Sequence, residues 1–137
     1  MRTTFLVLVV NVVLWVCGCA NSYCKVGFDG KWHGYITENN RSTPVELNLQ
    51  TVADSFEGTF TILSDTGQDL KKGASFQIVR AKRCGGRVQF VVPISGEIDD
   101  DAIVFDLNIE KNRLTGFGRE MAKGSQVIPV TFTRQKE

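Results

Sequence analysis

Histidine is almost missing from this sequence: His33 stands alone among 137 residues. Nucleophilic triads need a base beside the nucleophile, and Cys/His metal centres need several ligands at once. One imidazole on a strand, opposite Trp32 and facing outward, serves neither. The triplet Asp99-Asp100-Asp101 lacks the ligand spacing and the glycine of a calcium loop, and it reads as a turn with carboxylates at its corners. No catalytic residue, metal or cofactor is expected, and the chain is read as no enzyme. Long apolar runs are missing too. The longest, Phe5 to Val16, falls short of the roughly 20 residues that span a bilayer as a helix. Net charge is only +1, with no basic stripe interleaved with stacking aromatics, so nucleic acid is excluded as a partner. No window repeats its apolar residues at helical spacing.

What is there begins at the N-terminus. Met1-Arg2, the apolar run to Val16 and the small residues Gly18 and Ala20 have the form of an export signal. Four cysteines follow or flank it: Cys17, Cys19, Cys24 and Cys84. Cleavage before Cys19 or after Ala20 leaves the same pair, Cys24 and Cys84, in an oxidising compartment. Their disulfide would close a loop of about 60 residues, worth roughly 4 kcal/mol in the chain-entropy account.

Val16-Cys17-Gly18-Cys19 resembles the lipobox of bacterial lipoproteins. That resemblance implies removal of residues 1–18, acylation of Cys19 as the first mature residue, and an anchor and linker over 19–29. Ala20 after the cysteine favours, by the same resemblance, the outer membrane, with the protein facing the periplasm. Plain secretion is the alternative, and Asn40-Arg41-Ser42 would then be a glycosylation acceptor.

From Gly30 onward the pattern is strands and turns. Val45-Leu47-Leu49 alternate with Glu46-Asn48-Gln50, Ile103-Phe105-Leu107-Ile109 with Val104-Asp106-Asn108-Glu110, and Ile128-Val130-Phe132 with Pro129-Thr131-Thr133. Eight strands are predicted, near 31–38, 44–52, 55–63, 75–83, 87–97, 102–110, 113–119 and 127–134, joined by turn residues such as Gly85-Gly86 and Lys111-Asn112. Pro93 should mark a bulge or an edge. Gly58, Gly96 and Gly116, each with an apolar residue two positions before it, should sit where a strand bends or a neighbour approaches. The expectation is an all-β, eight-stranded antiparallel up-and-down barrel over 30–134, whose closure removes the exposed edges. Closure would pair the first strand with the last and lay Arg134 across Trp32.

Gly30-Lys31-Trp32 together with Arg134 resembles the signature of calycins, the superfamily of lipocalins, fatty-acid-binding proteins and avidins. Gly30-Lys31-Trp32-His33-Gly34 is also similar to the starts of lipocalin-like bacterial envelope proteins. The resemblance implies a barrel, not a particular ligand. Ile36, Leu47, Leu49, Phe60, Phe105, Leu107 and Phe132 are the candidate lining of its interior, or simply its core. Arg80, in step with Phe76 and Ile78, is the candidate counter-charge for an anionic ligand.

Charge is segregated along the chain. Residues 71–87 hold six bases and no acid; residues 97–110 hold six acids and no base. Either consecutive hairpins neutralise each other or a basic patch meets an anionic partner. The functional expectation is a non-enzymatic envelope lipoprotein whose partners are the membrane, through its anchor, and a small apolar or amphipathic ligand. The alternative is a protein-interaction module: an inhibitor of a secreted hydrolase or an assembly partner.

Overall fold

The computed structural model describes residues 27–38, 40–53, 55–65, 71–122 and 124–136. The expected leader, Cys19 and Cys24 lie outside them. Among the described residues there are nine strands and no helix: β1 (Gly30–Glu38), β2 (Arg41–Val52), β3 (Ser55–Ile62), β4 (Ser75–Gln77), β5 (Val79–Cys84), β6 (Arg87–Val92), β7 (Ile103–Glu110), β8 (Arg113–Glu120) and β9 (Ile128–Arg134). They form one antiparallel sheet in the order β4-β3-β2-β1-β9-β8-β7-β6-β5. β1 pairs with β9 through Trp32↔Arg134, His33↔Thr133 and Gly34↔Phe132. At the other edges β4 runs into β5 at Ile78, so one bent segment leaves β3 and joins β6. Ile78 N donates to Gly58 O at 3.0 Å, and Ser55 Oγ donates to Ala81 O at 3.0 Å. The sheet is thus a nearly closed up-and-down barrel.

The alternation read from sequence is what makes these strands. Val45, Leu47 and Leu49 are buried while Asn48 and Gln50 between and beyond them are exposed. Two predicted strands differ. The fourth is split into β4 and β5, because the register shifts between Val79 and Lys82 and Arg80 takes a left-handed φ of 52°. An inserted residue in a ladder reverses which face the next side chains meet. Arg80 is therefore exposed and lines no interior. The fifth, which is β6, stops at Val92 instead of near 97. Pro93 has no N–H to continue the ladder and instead accepts from Gly96 N at 2.9 Å, opening a turn in which Gly96 has φ 92°. Gly96 is a turn glycine, not a strand one.

Gly58 and Gly116 sit where a neighbouring strand comes close. A Cβ on Gly58 would strike the carbonyl oxygen of Asn48, and one on Gly116 that of Asp106. Both obstacles are backbone of the paired strand, which cannot swing aside.

The interior is filled by rings. Phe60, Phe90, Phe105 and Phe132 are at most 1% exposed. Phe105 lies 5.2 Å from Phe90, 5.7 Å from Phe60 and 6.2 Å from Phe132, centroid to centroid. Leu47, Leu49, Leu107 and Leu114 close the gaps around them. Each buried ring of this kind contributes roughly 1.5–3 kcal/mol.

Alternating hairpins give the barrel two unlike ends. Strands β2, β5, β7 and β9 end at one, where Gly27 also lies. Strands β1, β3, β6 and β8 end at the other, the end of the longer connections.

Candidate functional site

The end that carries the termini is sealed. Gly27–Asp29 runs across it, and Phe28 is fully buried, 5.2 Å from Phe56, edge to face. Four residues hold this segment. Thr51 donates to Asp29 Oδ1 from its backbone N at 2.8 Å and from its Oγ1 at 2.6 Å. Trp32 Nε1 donates to Phe28 O at 2.9 Å. Arg134 donates from Nη2 to Gly27 O at 2.7 Å and from Nη1 to Asp29 O at 3.1 Å. Its guanidinium also lies 4.5 Å from the Trp32 ring centre. The Arg83 guanidinium lies 4.5 Å from the Phe28 ring centre. Gly30, with φ 125°, turns the chain from this seal into β1. The sequence reading places Phe28 in the linker before the barrel; the one signal for its burial is an apolar side chain two residues before Gly30.

The opposite end is a mouth. Ile36, Phe76, Ile94, Ile103 and Ile128 are partly buried against the core there. A small, mostly apolar slot of about 30 Å³ opens among Ile36, Ile103, Phe105, Ile128 and Val130, with Glu38, Arg119 and Glu120 also lining it. Of the candidate lining residues, only Ile36 and Phe105 reach it. Leu47, Leu49, Phe60, Leu107 and Phe132 pack against other side chains in the core.

On the outer wall, His33 Nε2 is 2.7 Å from Glu46 Oε2, a cross-strand pair. A second groove of about 240 Å³ lies outside β2, β3 and β4, lined by Asn48, Gln50, Glu57, Gly58, Thr59 and Gln77. It offers hydrogen-bonding groups and no aromatic platform. Arg87 holds Asp106 through Nε–Oδ1 at 2.6 Å and through Nη2–Oδ2, and Gln89 Nε2 adds a bond at 3.1 Å. The Arg87 hydrogen bond is the main cause of a lowered Asp106 pKa. Asp99 is lowered too, first by Ser95 Oγ and then by the Asp101 N–H; the acidic triplet is tied into its own loop. Among the described residues no three His, Cys, Asp or Glu side chains gather as a metal site would require.

Cys84 ends β5. The expected basic and acidic runs meet where Arg87 pairs with Asp106. Compared with known families and proteins, the chain matches no family model, no curated protein and no solved structure.

Proposed function

We propose that this chain is a non-enzymatic cell-envelope lipoprotein, acylated at Cys19, whose lipocalin-like barrel is a packed scaffold for protein interaction through its mouth-end loops. The observation that carries the choice of surface is the filled interior: the rings of Phe60, Phe90, Phe105 and Phe132 occupy the space that a carrier would leave to its ligand. The loops 93–102 and 121–127 offer instead the exposed Ile98 (39%) and Val127 (55%). The anchor fits the geometry, because Gly27 enters at the sealed end and eight residues from Cys19 reach at most about 29 Å. The same proposal includes the Cys24–Cys84 disulfide. It is supported by Phe28, four residues after Cys24, lying beside Arg83, the neighbour of Cys84.

Two measurements test this. Intact mass of the protein from its own envelope is expected to show a chain starting at Cys19 and carrying acyl groups; an unmodified chain starting after Ala20 would refute the anchor. A photo-crosslinking residue placed in cells at Ile98 or Val127 is expected to capture one defined partner, while the same residue at Thr131 on the wall captures none. Equal capture from all three positions would refute the mouth as the working surface.

The second reading, a small amphipathic ligand, rests on the apolar slot at the mouth. It requires Ile36 and Ile128 to part. Saturable micromolar binding of a fluorescent fatty acid, abolished by Ile128→Asp, would favour it.

A further inference from the structure

The two ends of the barrel carry opposite charge. At the sealed end the described bases are Lys31 on β1, Lys82, Arg83 and Arg87 around the β5–β6 turn, Lys111 and Arg113 around the β7–β8 turn, and Arg134 and Lys136 after them. The described acids there are Asp29, Glu57 and Glu110. Arg87 is matched by Asp106, and Arg113 lies 3.9 Å from Glu110. Lys31, Lys82, Lys111 and Lys136 are exposed and take part in no ion pair among the described residues. The mouth is the reverse: Glu38, Asp65, Glu97, Asp99, Asp100, Asp101 and Glu120 outnumber Arg41, Lys71, Lys72 and Arg119.

We infer that the sealed end is a docking face for an anionic phospholipid surface. Charge complementarity is the first argument: cations near such a surface are attracted within a Debye length, and the acidic mouth is turned away. Chain geometry is the second. Gly27, the first described residue, lies at this end, so the chain enters the barrel beside these lysines. Val52, 45% exposed at the β2–β3 turn, adds an apolar tip to the same face. The inference shares with the proposed anchor the choice of which bilayer is near, but its test uses no acyl group.

The chain from Cys19 to Glu137, produced without export and therefore unacylated, is sedimented with vesicles of phosphatidylcholine containing about one-third phosphatidylglycerol at roughly 0.1 M salt. Binding to these vesicles and not to pure phosphatidylcholine is expected. The pair K82Q/K111Q should lower partitioning about 25-fold, at about fivefold per cation. The pair K71Q/K72Q, the same charge change at the mouth, should leave it within about twofold. Equal losses from both pairs would reduce the effect to net charge and overturn the inference; so would equal binding to both vesicle types, or none. An unacylated Cys19 in the mass measurement would sink the anchor alone and leave this result standing.

Discussion

Three donors converge on the carboxylate of Asp106, two from Arg87 and one from Gln89, and they set the acid sensitivity of the wall between β6 and β7. They hold its pKa below the ordinary 3.8. A carboxyl whose folded pKa is depressed contributes stability above its unfolded value and loses it as pH falls through the folded one. Asp106→Asn is therefore expected to be less stable than the parent at neutral pH, with the gap closing as the pH drops below about 4. Urea unfolding at a series of pH values measures this; a gap independent of pH would place the loss elsewhere. The pair is solvent-exposed on one side, so the gap should be small. Nothing in the spelling of residues 87 and 106 announces it. The pairing follows from a register, Gln89↔Asp106 with Arg87↔Asn108, that puts residues 19 apart on one outer face.

At the scale of elements, the strands were legible because half-buried strands alternate strictly. The first, second, third, seventh, eighth and ninth observed strands fall where the pattern put them, within a few residues. The break between β4 and β5 was not legible. Counting by twos through 75–83 assigns Arg80 to the inward face, and only a backbone irregularity overturns the count. That irregularity falls on an arginine, so it leaves no trace in composition as a glycine would. Its left-handed φ costs an L-residue roughly 1–2 kcal/mol, against about 0.5–1 kcal/mol of extra chain entropy for glycine. Arg80→Gly is thus expected to be neutral or to stabilise by up to about 1 kcal/mol, read by thermal or urea unfolding. Destabilisation beyond that would give the arginine side chain a structural role that its exposure argues against.

The whole molecule sorts what the sequence mixes. Lys71 and Lys72 belong with Lys82 and Arg87 on paper, yet the strand between carries them to opposite ends. A charge run along a meander is therefore no guide to a charged face; the turns decide. The seal is likewise a whole-molecule feature, since Arg134 reaches Gly27 across 107 positions of sequence. Gly30-Lys31-Trp32 and Arg134 were legible as a pair, whereas Phe28 beneath them was not, because one apolar residue before a strand has no period. Arg134→Lys keeps the charge but not the two-pronged reach to Gly27 and Asp29. A loss of about 1–3 kcal/mol is expected, with faster proteolysis near Gly27 than near Gly86. Unchanged unfolding and cleavage would show that the seal holds without the guanidinium.

The junction of Trp32 with Arg134 also imposes a chronology. β1 is made first and β9 last, and the contacts between them have the greatest separation in the described chain. Such contacts form late, after the intervening loop has closed. Gly27–Asp29 is gripped by Arg134, so the stretch nearest the N-terminal cysteines is the last to be fixed. Until then Gly27–Asp29 is unfastened and open to any enzyme that acts on the emerging chain. Once β9 arrives, the same stretch is locked against Trp32 and withdrawn from reach.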